Sequence, residues 1–367
     1  MWQRNIISCD VSNVYIVFGF DKSESMKERI YMTSDKEFLT YNQQMKKLRI
    51  NKKIDCKNTK DKTTLVRMGY FNLVNGYKEP FICGKDLNGN HIYIANTTLD
   101  SLYALKKFDD QLRMLLLRYI TQIEEEVRTL TGYKFDQCNE NGKTPWYDAK
   151  AYSTSCKLQD RMNAISSAYS ELNKSRSEYV KFYMNNHETI PTWIMIKVVN
   201  FSTFIDVLSN SKNTVTHALC KLYDMRDANG YYNVKLLVGS LHWLRKVRNS
   251  CAHNERVYCI KQNPVNNDKY SGRIHEEYIK KMRPVYLKDK DKKLIDLLIY
   301  FKYYLTDKDY KKMMGEFQDM LLKLQEEVST NAFDNVRGKM GIKNLNDLDD
   351  LKNLPKAKIM YHRFDTF

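Results

Sequence analysis

An all-α fold is predicted for this chain by three features of its sequence. Glycine and proline are scarce, 13 and 6 in 367 residues. Long stretches contain neither, and within them apolar residues recur at steps of three and four. Strands are expected to be few. The clearest helix opens near Phe108: Leu112, Leu115, Leu116, Tyr119, Ile123, Val127 and Leu130 make one apolar face, and Thr131-Gly132 reads as its end. It also carries Asp109 with Arg113 and Glu124 with Arg128 at i,i+4. When exposed, such pairs contribute roughly a few tenths of a kcal/mol; turned toward a cleft, Arg113 and Glu124 would instead support catalytic groups.

Pro191, at a first helical turn, introduces a second periodic block from Thr192 to Leu208, and a third runs from Val215 to Met225. After a turn at 227–232, Val234, Leu237, Val238, Leu241, Leu244 and Val247 form a stripe that leads into Arg248 and Asn249. Leu294 to Leu305 and Met313 to Val328 are further amphipathic helices. Between them and the stripe, residues 262–293 read as a polar connector and not as core. The resulting division is an extension at 1–35, a small basic and aromatic helical region at 36–100, a helical domain at 101–350 and a tail at 351–367.

Sixty Lys and Arg against 44 Asp and Glu give a formal charge of +16, which favours polyanions, nucleic acid first. The same surplus also fits a lysine-rich solvated surface without a partner. Lys46, Lys47, Arg49, Lys52 and Lys53, then Arg67 with Tyr70 and Tyr77, interleave cations with rings. That pattern suits single-stranded or looped RNA, because phosphates meet the cations while bases stack. The alternative puts Tyr70, Phe71, Leu73 and Tyr77 in the core beneath a charged face. Eight cysteines without a C-x-x-C pair or matching histidine spacing argue against a disulfide framework or zinc site and read as reduced thiols in a cytoplasm. Val14 to Phe20 is too short to span a membrane and lacks a cleavage site behind it. No cofactor or metal is expected.

Arg248-Asn249 and His253 are the candidate catalytic residues. RNA carries its own nucleophile, the 2′-hydroxyl. A histidine can take that proton or protonate the leaving 5′-oxygen, and a guanidinium can steady the charge gathering on phosphorus. The spacing alone is weakly specific: Arg248 and Asn249 can equally cap a helix end, and His253 can be a satisfied half-buried histidine. On an uninterrupted helix five positions lie about 140° apart. The helix must therefore end or bend between the two groups, or they act across a dimer.

At Arg248-Asn249-Ser250-Cys251-Ala252-His253 the chain resembles the HEPN superfamily and, more narrowly, the abortive-infection Abi family of the AbiD/AbiF type. Tyr41-Asn42-Gln43-Gln44 with Leu48 is similar to that family's opening helix, and Gly69 to Leu73 with Gly76-Tyr77 and Pro80-Phe81 to its next block. Phe108-Asp109-x-x-Leu112-Arg113 with Ile123-Glu124 and Arg128-Thr129 resembles its FDxxLR…IE…RT helix. Pro191-Thr192-Trp193 resembles its PxW, Trp243-Leu244 through His253 its W…LRNxxAH, and Met340-Gly341-Ile342 its terminal MGF. The family often has an acidic residue and a glycine shortly after PxW, where this chain has Lys197 and Thr203. Met26 to Arg29 resembles the family's usual start, leaving residues 1–35 without a counterpart. The resemblance implies a HEPN-like helical bundle with additional C-terminal helices. It also implies phage defence through a toxic, metal-independent endoribonuclease, and a homodimer that pairs two motifs. A non-coding RNA as restraint or guide is a further implied partner. Two other readings stand beside it: a HEPN-like protein that binds a non-coding RNA without cutting, and a protein-interaction scaffold whose charge is incidental.

Overall fold

Helix α1 (Tyr41–Asn51) buries Met45 and Leu48 and is followed by α2 (Thr59–Met68), whose start is fixed by an Asn58/Asp61 capping box. A π-turn at Phe71–Asn75 and a short hairpin, β1 (Ile82–Lys85) with antiparallel β2 (His91–Tyr93), lead into α3 (Leu99–Cys138). Then come α4 (Leu158–Lys174), α5 (Glu178–Asn186), α6 (Thr192–Val198), α7 (Phe201–Asn210), α8 (Asn213–Leu222) and α9 (Val234–Ala252). The chain continues with α10 (Arg273–Met282), α11 (Leu294–Tyr304), α12 (Asp307–Glu327), α13 (Thr330–Met340) and α14 (Asn346–Asn353). These come from a computed structural model that describes residues 38–227, 229–263, 272–282 and 290–354. The expected extension at 1–35 with its apolar run, parts of the expected connector, and the tail from 355 lie outside the described residues.

The all-α expectation holds. From Tyr41 onward the described residues form one compact unit, organised around α3. Its 40 residues, about 60 Å at the usual rise, pack against α6, α8, α9 and α12. Among the described residues no helix is long and apolar enough to cross a membrane.

Three local expectations are corrected. The long helix starts earlier, where Thr98 and Ser101 form a capping box, and it runs through Thr131-Gly132. Thr131 returns its hydroxyl to Val127 O at 2.6 Å, and an added Cβ on Gly132 would lie 3.4 Å from Ile196 Cδ1. That glycine is a contact point for α6, not a stop. The block at 192–208 is two helices, because Asn200 caps a new one by accepting from Ser202 N and Thr203 N. Part of the stretch read as connector is α10, and its Ile274, His275 and Tyr278 are buried. Mixed charges around an apolar stripe at i, i+1 and i+4 hid it.

Helix α11 is buried on every side, including Lys302. Its Nζ donates to Lys352 O at 2.8 Å, lies 3.9 Å from Asp307 and sits over the Tyr310 ring. Burial nevertheless pushes its pKa from 10.5 down to about 8. A lysine that loses protons more readily folded than unfolded costs stability in full below pH 8, and the cost disappears above pH 10.5. Lys302→Met is therefore expected to stabilise the protein at pH 7 by on the order of 1–3 kcal/mol, since Asp307 keeps Lys311 at 2.8 Å. The gain should fade by pH 10.5. A lower denaturation midpoint at pH 7 would mean that the ammonium's contacts outweigh its desolvation.

Candidate active site

Helix α9 does not end between Arg248 and His253; it runs to Ala252, with His253 as its C-cap. Asn254 then adopts the left-handed region at φ 56°, which asparagine tolerates better than most residues. Asn254 N donates to Cys251 O at 3.3 Å and Glu255 N to Ser250 O at 2.9 Å, the bond pair of a Schellman closure. Ser250 Oγ adds a hydrogen bond to Glu255 Oε2 at 2.6 Å. The sequence did carry this signal: the asparagine that stops the helix is Asn254, not Asn249.

With the helix continuous, its two candidate groups face different ways. Arg248, its side chain 40% exposed, turns toward α3, where Nε lies 3.8 Å from Glu124 Oε2, and its Nη1 donates to Asn249 Oδ1 at 3.2 Å. His253 is exposed and lines two clefts, one of about 950 Å³ and one of about 940 Å³. Arg248 lines neither. Glu255 joins His253 on the ridge between them.

The first cleft runs along α9. Lys235, Val238, His242, Arg245, Asn249 and His253 line it at steps of three and four, one face of the helix over roughly 27 Å. Lys246 and Lys292 add charge, and the Nε of Arg245 is buried without a hydrogen-bond partner. Burial, then Arg245, holds the His242 imidazole below its usual pKa. Sequence reasoning missed this stripe because it read α9 only for its apolar face.

The segment beyond His253 is held by α3. Asp109 is fully buried, and its Oδ1 accepts from Val257 N at 3.1 Å and Tyr258 N at 2.8 Å. Its Oδ2 accepts from the Tyr77 hydroxyl at 2.9 Å and Arg113 Nη1 at 3.0 Å. Burial pushes this carboxyl's pKa up, against the pull of the four donors. Arg113 also reaches Glu255 O at 3.3 Å and pairs with Asp110. About three helical turns further on, Glu124 Oε1 accepts from Arg128 Nε and Nη2 at 3.0 and 2.7 Å, while Arg128 Nη1 donates to Val199 O at 2.9 Å and to Ile196 O. Glu124 thus joins the end of α6 to Arg248. Arg113 and Glu124 are both buried and are not exposed surface pairs. Cys251 is also buried, which pushes its thiol up to about 12 and keeps it protonated.

The N-terminal platform residues are divided. Lys46, Lys47 and Lys53 are exposed. Arg49 donates to Cys56 O at 2.7 Å, and Lys52 lies over the Tyr93 ring with its pKa lowered by burial and by Lys78 and Lys47. Arg67 lines the second cleft. Tyr70 is half-buried against the core, and Tyr77, 4% exposed and stacked on Tyr258, offers a base no open face. Tyr77 belongs to the core alternative.

A family model described as Abi-like protein matches residues 63–259, more than half of the chain. The chain belongs to the Abi-like protein family. The family is one of abortive infection, a defence against phage. The matched stretch contains α3 with Asp109, Arg113, Glu124 and Arg128, all of α9, and the segment those residues hold, so the Abi-like region coincides with this framework. No curated protein and no solved structure matches the chain.

Proposed function

We propose that this Abi-like protein is a HEPN-type endoribonuclease of the cytoplasm that cleaves RNA by internal attack of the 2′-hydroxyl. The observation that carries the reading is the place of His253: an exposed imidazole, fixed at a helix end, on a ridge beside a cation-lined cleft. RNA phosphates follow Lys235, Arg245 and Lys246, and the scissile one reaches His253. The O2′–P bond forms as the P–O5′ bond breaks. One imidazole takes the 2′ proton and another protonates O5′, leaving a 2′,3′-cyclic phosphate and a 5′-hydroxyl. A guanidinium balances the charge on the phosphoryl oxygens. This chemistry asks nothing of a divalent ion.

Because α9 is unbroken, Arg248 and His253 of one chain do not share a cleft, and the active species is a homodimer in which two copies pool them. Glu124 holds Arg248 in orientation, and Arg113 holds the segment after His253. Exposed Lys46, Lys47 and Lys53 extend the RNA contact.

A second reading, a non-coding-RNA-binding protein that does not cut, is favoured by one observation: Arg248 is occupied by Glu124 and Asn249 and lines neither cleft. The two are separated by incubating the full chain with a single-stranded RNA and with its 2′-O-methyl counterpart. The nuclease cuts only the first; the binding protein retains both and cuts neither. Affinity should fall steeply with salt in either case.

A further inference from the structure

The second cleft differs from the first in kind. Two of its cations are paired with carboxylates, Lys106 with Asp110 at 2.8 Å and Arg113 with Asp109 and Asp110, and Arg256 Nη1 donates to Gly76 O at 2.6 Å; Arg67 also lines it. What it presents is apolar and amide surface. Phe71 and Met114, 76% and 71% exposed, both line it, with Asn72, Asn75 and Asn254 beside them.

Phe71 is not a loose surface ring. It begins the π-turn at 71–75, a rare element that recurs at functional sites. Leu73 and Val74 of the same turn are fully buried, and Arg256 ties the carbonyl of Gly76, which caps the turn, to the segment after His253. Tyr77, just beyond, is bound to the same Asp109 that holds Val257 and Tyr258. The ring is therefore kept in register with His253 by two independent ties.

We infer that this cleft is a nucleobase subsite: an unpaired base next to the phosphate at His253 stacks on Phe71 against Met114, and the asparagine amides meet its polar edge. A base needs a π-surface and neutral donors and acceptors, which this cleft has; a phosphate needs cations, which line the α9 cleft at Lys235 and Arg245. The subsite rests on the RNA reading of the protein, and it confines cleavage to single-stranded or looped RNA.

The test is fluorescence anisotropy of the full chain with labelled 12-nucleotide 2′-O-methyl probes, which 2′-hydroxyl attack does not cut: an oligoadenylate, and the same backbone carrying abasic sites. The wild-type chain is expected to bind oligoadenylate about five- to hundred-fold more tightly than the abasic probe, the range for one stacked base. Phe71→Ala should erase that difference and Phe71→Trp keep it, whereas Lys235→Ala should weaken both probes alike. Equal losses on both probes with Phe71→Ala, or no change, overturn the subsite. So does a Phe71→Ala chain that sediments as a monomer where the wild type is a dimer, since the cleft would then be an interface between copies. Failure of the RNA reading is distinct: neither probe binds at all. A chain that binds both probes with the expected preference yet cuts no RNA loses the nuclease and keeps the subsite.

Discussion

His253→Ala is expected to lower RNA cleavage by on the order of 10²- to 10⁴-fold, the range a positioned acid–base group supplies. Arg248→Ala should cost about 10²- to 10³-fold through loss of charge stabilisation. Neither change should disturb the fold. His253 is exposed and holds its helix end through its backbone, and Glu124 keeps Arg128 when Arg248 is removed. Denaturant midpoints within roughly 0.5 kcal/mol of wild type are expected. Activity of either variant near wild type contradicts the assignment. Unfolding of His253→Ala would return the residue to a purely structural role.

Asp109→Ala is expected to do the reverse: to destabilise the chain by about 3–5 kcal/mol, through a weakened buried ion pair and three buried donors left without an acceptor. The substitution strips the buried Arg113 of an ion pair at 3.0 Å and leaves Val257 N, Tyr258 N and the Tyr77 hydroxyl without an acceptor. Because those groups fix the segment that follows His253, cleavage should fall together with stability. Urea denaturation measures the first effect; a change under 1 kcal/mol would show that the four contacts are dispensable. Asp109→Asn should fall between, since an amide supplies only one accepting oxygen.

Asp109, Arg113, Glu124 and Arg128 were visible in the sequence as i,i+4 pairs on one helix, but periodicity does not say whether such a pair faces water or a cleft. Their burial depends on residues more than 120 positions away, at the end of α9 and just beyond it, and on α6. The identity of α9 and its apolar stripe was legible from Val234 onward. Its polar stripe was equally periodic, at Lys235, His242, Arg245 and Asn249, yet became a feature only once Gln262 and Lys292 closed the cleft around it. The angular separation of Arg248 from His253 followed from helix geometry alone, and the continuous helix keeps the two groups of one chain apart. The platform at 46–77 was readable as composition but not as surface: the turn at 71–75 exposes Phe71 while Tyr77 goes inside, a division that residue type cannot make.

In the proposed reaction an imidazole and a guanidinium, with no divalent ion, break RNA from within. Mass spectrometry of the ends produced by the full chain acting on single-stranded RNA in excess EDTA tests it most directly. Fragments ending in a 2′,3′-cyclic phosphate and beginning with a 5′-hydroxyl, absent with His253→Ala, are predicted. Fragments carrying 5′-phosphates, or cleavage that appears only when magnesium or manganese is restored, would contradict it.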